Sequence, residues 1–214
     1  MATTSPLAGP PLTPTVAPSN TVATNNPPNR TDNSTFTFPT YTSFPPFYTL
    51  QPNTTTRMRQ LTLWSQLLLT YCSQHRLFRL QFSSLPPELF ANRAISRSLS
   101  TADTMALLTW MAQPENQGRI EWVPPAAKGE KSSACWVLWR SLGEWADVLY
   151  GWVEETGQKG SVLTVYELRE GEAVGGREWV GMDEELLQKV LGVLVKRGKA
   201  QVFGQEESAG VKFF

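Results

Sequence analysis

The sequence predicts a mixed α/β (α+β) fold made of two similar modules in tandem, preceded by a disordered tail. Three observations support this prediction. Residues 1–35 contain no aromatic residue, and Arg30 and Asp32 are their only charged side chains. The rest of the chain alternates amphipathic helical stretches with short β-rich stretches. The order of these stretches recurs, so that Gly118–Val123 aligns with Gly198–Phe203 at an offset of 80 residues.

The N-terminal tail is rich in Thr, Pro, Ser, Asn and Ala. A segment of this composition cannot bury enough apolar surface to offset the entropy lost on ordering, so we predict that it is disordered. We place the tail at residues 1–38, a first domain at residues 39–140 and a second domain at residues 141–214. Each domain is small but long enough to hold a core of its own.

The first domain is predicted to begin with a helix that starts after Asn53 or Thr54 and ends near His75. Its apolar residues recur at three- and four-residue steps, which places them on one buried face. The run Leu77–Phe82 then suits a strand or a short connecting helix. The residues on the buried face are Leu61, Trp64, Leu67, Leu68, Tyr71 and Cys72.

The rest of the first domain predicts two helices and a β-hairpin. A short second helix is expected within Leu89–Leu99, and Ser100 or the next residue caps a third helix that Pro114 ends. The alternating stretches Arg119–Val123 and Cys135–Trp139 form the hairpin. Helix, strand, helix, helix and hairpin is the order of a winged helix.

The second domain repeats this order, so the sequence predicts two tandem winged-helix domains. An amphipathic helix over Gly143–Thr156 comes first, and Asp183 caps a later, long helix that Gly198 closes. The β-rich stretches of this domain are Ser161–Tyr166, Lys199–Phe203 and Val211–Phe214.

The stretch Phe44–Pro52 joins the tail to the first domain and contains three aromatic rings. Pro45 and Pro46 each fix φ at about −65° and lack the N–H donor, which favours an extended polyproline II path. A pre-extended segment loses little entropy on docking, so its rings could fill pockets on a partner. Folding of the rings onto the chain's own core is an equally good interpretation, so both remain open.

The charge of the chain does not favour a nucleic acid partner. With 19 basic and 19 acidic residues, there is no excess to neutralise phosphates. Winged helices most often bind DNA through the helix before the hairpin. Here residues 101–113 hold no Lys or Arg, and the second such helix begins with Asp183, Glu184 and Glu185, which phosphate would repel. We therefore expect no nucleic acid partner, and a winged-helix DNA-binding protein is kept only as the least favoured alternative function.

No arrangement typical of an enzyme is visible in the sequence. Cys72, Cys135 and His75 are the only cysteines and the only histidine, too few for a zinc site of about four such ligands. There is no catalytic triad, phosphate-binding glycine loop or metalloprotease motif. We expect no catalytic residue, no metal and no cofactor. The absence of a signal peptide and of an apolar stretch of about 20 residues predicts a cytoplasmic location.

The eight tryptophans are a high number for a chain of this length. Most of them fall on inward positions of the predicted elements, where core packing is the expected role. Trp139 is less clearly inward. Trp179 lies in a predicted loop before a helix and is the one we assign most readily to a partner surface. The predicted core tryptophans are Trp64, Trp110, Trp122, Trp136, Trp145 and Trp152.

Several motifs resemble one protein family. Phe44–Asn53 reads F-P-P-F-Y-T-L-Q-P-N, Ser161–Leu168 contains Ser-Val and Tyr-Glu-Leu, and Gly210–Phe214 reads G-V-K-F-F. Together with Thr56-Arg57 and Gln60-Leu61, these residues resemble the vacuolar protein-sorting-associated protein 25 family, the small tandem winged-helix subunits of the endosomal ESCRT-II complex. The resemblance covers about residues 38–214 and is specific, because the first and last motifs bracket two winged helices.

This resemblance implies a non-enzymatic adaptor. In the family, the Pro-Pro-aromatic-aromatic motif docks each copy of the subunit on one of the two larger ESCRT-II subunits, with two copies per complex. We expect the motif residues Pro45–Tyr48 to project outward, while Leu50 and Pro52 anchor the stretch to the first winged helix. The docking residues implied here are Phe44, Pro45, Pro46, Phe47 and Tyr48.

The resemblance also implies a second partner. The family's second winged helix recruits the first ESCRT-III subunit, a myristoylated protein whose N-terminal helix it binds. The matching region is Ser161–Leu168, and the implied contacts are Val162, Leu163 and Thr164. The implied function is to recruit and nucleate ESCRT-III in multivesicular body sorting of ubiquitinated membrane proteins. The protein would be cytoplasmic and peripherally recruited to the endosomal membrane, with membrane association only through the complex.

Two features keep alternatives open. The long Thr- and Pro-rich tail departs from the family pattern, so its role is not assigned. Pro45-Pro46-Phe47-Tyr48 also matches P-P-x-Y, the ligand of WW domains, which grip a polyproline II segment with aromatic grooves. A WW-domain-binding adaptor would require this segment to be free in the assembled protein.

Overall fold

The protein folds as two winged helices in tandem, as predicted. The structure is a computed structural model that describes Met1, residues 36–204 and residues 209–214. The disorder predicted for residues 1–35 concerns a segment that, apart from Met1, lies outside the described residues. Residues 36–214 form one compact unit.

The first winged helix begins at its predicted cap and contains eight regular elements. They are α1 (Thr54–Gln74), β1 (Arg79–Gln81), α2 (Pro87–Phe90), β2 (Ala91–Asn92), β3 (Arg97–Ser98), α3 (Thr101–Ala112), β4 (Ile120–Trp122) and β5 (Ala134–Val137). The Asn53 Oδ1 atom accepts a hydrogen bond from the Thr56 N–H at 3.0 Å, and the Ser100 Oγ atom accepts one from the Asp103 N–H at 3.0 Å. Both side chains satisfy N–H groups that have no partner inside the helix, so both caps are confirmed.

The second winged helix follows the same order. Its elements are α4 (Leu142–Glu155), β6 (Val162–Thr164), α5 (Val165–Glu170), α6 (Glu184–Lys196), β7 (Ala200–Phe203) and β8 (Gly210–Phe213). Capping boxes formed by Ser141 with Glu144 and by Thr164 with Glu167 begin α4 and α5. The three-stranded antiparallel sheets have the orders β1-β5-β4 and β6-β8-β7. Element order and strand order both recur, so the fold contains the predicted repeat.

The first sheet is buried on both of its faces. Successive strand residues point to opposite faces. Leu80 and Cys135 pack in the core of the first winged helix, together with α1 and α3. Trp136, which follows Cys135 and therefore points to the opposite face, packs instead in a core that is continuous with the helices of the second winged helix. The apolar boundary between the two winged helices is therefore formed by the outer face of the first sheet.

The short helix predicted within Leu89–Leu99 is wrong. Helix α2 ends at Phe90, and the β2–β3 pair follows it. The Asn92 Oδ1 atom accepts a hydrogen bond from the Ala94 N–H at 3.0 Å, and Ser96 has a φ of 53°. An asparagine side chain that bonds the nearby backbone competes with helix formation, so the chain turns back here.

The tryptophans are mostly core residues, but one assignment is wrong. Trp179 is buried, its Nε1 atom donates a hydrogen bond to the Leu168 carbonyl at 2.9 Å, and its ring packs edge-on against another indole. It is therefore not a partner surface. Trp110, Trp122 and Trp139 are half-buried. The fully buried tryptophans among those predicted are Trp64, Trp136, Trp145 and Trp152.

Candidate functional site

The residues singled out for partners lie on two surfaces. One is the strap, which we define as residues Phe36–Pro52, the segment that leads into α1. The strap does not follow the predicted polyproline II path, because two 3-10 turns, Thr40–Ser43 and Pro45–Tyr48, replace it. The φ of proline fits a 3-10 turn, and a turn does not use the N–H groups of its first residues. Two adjacent prolines therefore start a turn.

Phe47 and Tyr48 point into the first core, each with 5% of its surface exposed. The Phe47 ring stacks on the Trp64 indole, with the centroids 4.4 Å apart and the planes at 12°. The Tyr48 hydroxyl donates a hydrogen bond to the Thr42 carbonyl at 3.0 Å. The prediction that Pro45–Tyr48 projects outward is therefore wrong for these two rings. They adopt the self-packed arrangement that the composition had left open, and this conformation is not that of a WW-domain ligand.

Two side chains of α1 hold the strap against the core. The buried Gln60 Nε2 atom donates to the carbonyls of Phe47 at 2.8 Å and Thr49 at 2.9 Å, and its Oε1 atom accepts from the Gln51 N–H at 3.1 Å. The Trp64 Nε1 atom donates to the Phe47 carbonyl at 3.0 Å. Buried polar groups cost free energy unless they are paired. These bonds therefore allow the turn to lie on an apolar core.

The exposed edge of the strap consists of Phe44, Pro45 and Pro46. Phe44 is 61% exposed, and both prolines are exposed. A large aromatic ring held in water beside two stiff residues is typical of a partner surface. Of the two predicted anchors, Leu50 packs partly against the first core, whereas Pro52 is exposed. The anchor prediction therefore holds for Leu50 and is wrong for Pro52.

The N-terminal end of the strap packs on the last turns of α1. The Phe36 and Tyr71 rings meet edge-on with centroids 5.1 Å apart, and Phe38 lies 4.8 Å from Phe36. The His75 ring lies 4.3 Å from that of Tyr71. Phe36 and Phe38, which the predicted boundary assigns to the tail, thus pack against the first core.

A hydrogen bond between α1 and α2 supports this end of the strap. The Tyr71 hydroxyl donates to the Glu88 Oε1 atom at 2.5 Å. This bond, together with a backbone hydrogen bond, holds the pKa of Glu88 below its ordinary value. Burial and the adjacent carboxylate raise the pKa of Tyr71. Both shifts favour the pair in its neutral-tyrosine, ionised-glutamate form.

We expect replacement of Glu88 by Gln to reduce the acid sensitivity of the fold. Because the pKa of Glu88 is lowered on folding, its contribution is present above the unfolded value of about 4.5 and is lost as the pH falls through the folded value. Denaturant unfolding at about pH 6 and about pH 4 checks this, with Glu130→Gln as a matched surface control. Equal acid sensitivity in wild type and Glu88→Gln would contradict the assignment.

The neighbourhood of the strap is polar and partly cationic. A cleft of about 460 Å³ opens between the strap and the α2–β2 segment, with Thr42, Tyr48 and Asn92 in its lining. Arg93 and Arg97 are exposed next to it, and neither forms an ion pair with any other described residue. Strand β3, which carries Arg97, contacts the turn that holds the two prolines.

The second surface is the outer face of the second sheet. Val211 of β8 is fully buried, so the residues before and after it, Gly210 and Lys212, face outward. In the β6–β8 register, Val162 lies opposite Lys212 and Thr164 opposite Gly210, which places both on the outer face. We define the outer face by these four residues and Phe203.

Only part of the predicted ESCRT-III contact set lies on this face. Val162 is 58% exposed and Thr164 is half-buried. Leu163 lies opposite Val211 and packs against the second core. By the period of two along the strand, Leu163 thus faces the core rather than the same side as Val162 and Thr164, and its contact with the ESCRT-III subunit stays a prediction.

Phe203 of β7 belongs to the outer face and was missed from the sequence. It lies opposite Gly210, and its position is 40 residues away from β6 along the chain. A Cβ atom built on Gly210 would lie 3.1 Å from the Phe203 ring and 3.2 Å from the Val162 Cγ1 atom. The two apolar side chains therefore close over the glycine from both sides. The G-V-K-F-F motif holds this glycine, but only the strand register shows what covers it.

Thr164 has a structural role in addition to its position on the outer face. Its Oγ1 atom accepts from the Glu167 N–H at 3.1 Å, and the Glu167 carboxylate accepts from the Thr164 N–H at 2.7 Å. This capping box begins α5 and lowers the pKa of Glu167, first through the bond from the Thr164 backbone. A substitution of Thr164 thus changes the start of a helix as well as the surface.

The described residues offer no obvious site for other chemistry. In residues 36–204 and 209–214, no group of three His, Cys, Asp or Glu side chains could hold a metal ion. Cys72 and Cys135 are buried, and burial raises the pKa of both thiols, that of Cys135 to about 12, which keeps them protonated near neutral pH. Searched over the same residues, no helix is long and apolar enough to span a bilayer.

Comparison with known proteins identifies relatives of the whole folded region. A family model described as ESCRT-II complex subunit matches residues 41–183. The vacuolar protein-sorting-associated protein 25 of Xenopus laevis is 38% identical over 180 residues, which cover 84% of this chain and 99% of the relative. The protein of that name from Arabidopsis thaliana is 36% identical, with 83% of this chain and 96% of the relative covered.

Solved structures agree with these sequence matches. The crystal structure of subunit VPS25 of the endosomal trafficking complex ESCRT-II has a TM-score of 0.71 at 29% identity, covering 82% of this chain and 98% of that chain. A chain in the crystal structure of the endosomal complex ESCRT-II (VPS22/VPS25/VPS36) has a TM-score of 0.71 at 28% identity, with the same coverage.

Proposed function

Because the chain belongs to the vacuolar protein-sorting-associated protein 25 family of ESCRT-II complex subunits, we propose that it is a non-enzymatic adaptor with two partner surfaces. The strap docks on the two larger ESCRT-II subunits, the counterparts of VPS22 and VPS36 in the solved complex. The outer face of the second sheet recruits and nucleates ESCRT-III in multivesicular body sorting of ubiquitinated membrane proteins. The observation that carries the proposal is an aromatic ring, Phe44, presented in water by a turn anchored in the core.

The strap divides docking between contact residues and positioning residues. Phe44, Pro45 and Pro46 are the contact residues, since they form its exposed edge. Phe47 and Tyr48 are positioning residues, because their side chains are used inside the first winged helix. A turn that is already formed loses little entropy on binding, and most of the gain from burying Phe44 then appears as affinity.

Electrostatics favours an acidic rim around the partner's apolar pocket. Arg93 and Arg97 lie beside the exposed edge, and neither forms an ion pair with a described residue. Complementary charge across an interface raises the association rate and fixes the register of binding more than it raises affinity. Docking should therefore slow at high salt while Phe44 still supplies most of the affinity.

The outer face suits the N-terminal helix of the first, myristoylated ESCRT-III subunit. Val162 and Phe203 form an apolar pair around Gly210, flanked by the polar side chains of Thr164 and Lys212. An amphipathic helix binds by laying apolar side chains on such a surface. The protein itself would stay cytoplasmic and reach the endosomal membrane peripherally, through its complex.

Mass measurement tests the docking proposal directly. We expect this chain, mixed with the two larger subunits and separated by size-exclusion chromatography with light scattering, to elute in one complex that contains two copies of it. The expectation follows from one strap per chain and one receptor on each larger subunit. Elution of the chain apart from the two subunits would contradict docking, and a single copy in the complex would contradict the second receptor.

A further inference from the structure

In a DNA-binding winged helix, the helix before the hairpin enters a DNA groove. In the second winged helix that helix is α6, and it packs against the first sheet instead. In the first sheet, Arg79, Trp136 and Glu121 lie directly opposite one another across β1, β5 and β4. The start and the middle of α6 meet this row through Asp183 and Lys189. The second winged helix therefore presents its α6 to the outer face of the first sheet.

Three ion pairs join the first sheet and the residue before β4 to α4 and α6 of the second winged helix, and a fourth, Arg140 with Glu178, lies where the two domains meet in sequence. The Arg79 Nη1 and Asp183 Oδ2 atoms are 3.2 Å apart, and the Lys189 Nζ and Glu121 Oε1 atoms are 2.6 Å apart. A third pair joins the residue before β4 to the first turn of α4, with 3.4 Å between the Nη1 atom of the arginine and the Oε2 atom of the glutamate. That pair is Arg119 with Glu144. The first sheet thus contributes two positive charges and one negative charge, and the second winged helix contributes the opposite set.

Trp136 adds a further contact to the middle of this arrangement. The Lys189 ammonium lies 5.0 Å from the centre of the indole ring, within the range of a cation–π contact. The Trp136 Nε1 atom is buried and has no hydrogen-bond partner among the described residues. Its buried N–H carries a desolvation cost that a phenylalanine would avoid. Trp136 therefore contacts the second winged helix through the face of its ring and not through its N–H group.

The Asp183 side chain also contributes to the contact between the two winged helices. It stands at the N-cap of α6, where an aspartate ordinarily accepts a hydrogen bond from the helix. Its side chain makes no such bond with the described residues and pairs with Arg79 instead. The sequence prediction that Asp183 caps the helix is correct in position only.

We propose that these three ion pairs set the direction in which the second winged helix projects from the first. The apolar surface between them supplies attraction but little directionality, since burial of apolar area has no preferred angle. The charges of the first sheet supply the direction, because the negative Glu121 stands between the positive Arg79 and Arg119 and each pairs with an opposite charge. A packing rotated on the sheet would bring Lys189 toward Arg79 or Arg119, and like charges at an interface reject that arrangement. The distance between the strap on the first winged helix and the outer face of the second sheet is then fixed by the fold.

The expected effect is on orientation more than on stability. The side chains of these pairs are between 17% and 55% exposed, and exposed ion pairs contribute little to folding. A test must therefore measure the angle between domains. The proposal concerns residues outside both partner surfaces, so it stands or fails independently of the proposed function.

Residual dipolar couplings of the full chain provide this measurement. The test variant reverses the three charges of the first sheet, Arg79→Glu, Arg119→Glu and Glu121→Lys. The compensated variant adds Asp183→Lys, Glu144→Lys and Lys189→Glu, which restores opposite charges at each point. The control makes the same charge change at exposed residues that pair with no described residue: Arg57→Glu, Arg59→Glu and Glu130→Lys.

In wild type, control and compensated variant, we expect both winged helices to share one alignment tensor and one relative orientation. In the test variant, the two tensors should differ in direction or in degree of order, while each domain keeps its own pattern of couplings. A wild-type orientation in the test variant would overturn the proposal. A compensated variant that fails to restore the orientation would also overturn it, provided that α4, whose capping box Glu144→Lys removes, keeps its own couplings. If the test variant does not fold, Glu121→Lys alone is measured, with the same two outcomes.

Discussion

Replacing Phe47 by Ala is expected to lower the free energy of unfolding by about 3–5 kcal/mol, the usual cost of removing a buried phenylalanine. The ring is 5% exposed and stacks on Trp64, so its loss leaves a cavity and removes an aromatic contact. The same change at Phe44, 61% exposed, should alter stability by less than about 0.5 kcal/mol. Two phenylalanines three residues apart in one motif are therefore expected to behave oppositely on denaturation.

Docking should show the reverse order of effects. Loss of an aromatic ring at the centre of an interface costs about 2 kcal/mol or more, so we expect Phe44→Ala to weaken binding to the larger ESCRT-II subunits by about 30-fold. Phe47→Ala should weaken binding only to the extent that it disorders the turn. Titration calorimetry on the folded variants, with stability measured in parallel, separates the two effects.

The exposed Phe214 in the second winged helix supplies a matched control. Phe214→Ala removes the same ring from the surface and should leave docking unchanged. If Phe44→Ala bound with wild-type affinity, the exposed edge of the strap would not be the docking surface. A double change of Pro46 and Phe47 is a poorer test, because loss of binding could come from loss of the fold.

The regular elements were predictable because their signals are local. The first helix follows from apolar spacing and the Asn53 cap. The strands of the first hairpin, β4 and β5, follow from alternation within about five residues. The strap was not predictable in this way. Two prolines have the same φ in a 3-10 turn and in polyproline II, so their presence does not decide between them. Helix spacing places Trp64 on the buried face of α1, but it does not show that the Gln60 and Trp64 side chains donate hydrogen bonds to the carbonyl of Phe47 in the turn.

The second surface was only partly predictable for a related reason. Alternation along β6 could have separated Val162 and Thr164 from Leu163, since the period of a strand is fixed. Phe203 could not be added from the sequence, because Gly210, which lies opposite Phe203, is joined to β6 by pairings that span 46 to 50 residues. The prediction that Trp179 faces a partner was wrong for a similar reason. Its position in a predicted loop does not show that its N–H donates to the Leu168 carbonyl.

Replacing Val162 by Asp is expected to weaken recruitment of the first ESCRT-III subunit by about 30-fold or more, with little change in stability. The side chain is 58% exposed, so folding does not depend on its burial, whereas a charge there would have to be desolvated under the partner's helix. Affinity measured for the N-terminal segment of that subunit checks this expectation. Glu172→Gln, an exposed change away from the outer face, serves as the control.

Thr164→Lys should also weaken recruitment, but its result needs the capping box to be taken into account. Loss of the cap costs about 0.5–2 kcal/mol, so this variant should unfold at lower denaturant even without a partner. Thr164→Ser keeps the cap oxygen and should retain both stability and recruitment. Wild-type affinity in both Val162→Asp and Thr164→Lys would place the recruiting surface elsewhere. Equal losses in Thr164→Ser and Thr164→Lys would show instead that the methyl group of Thr164 is itself a contact.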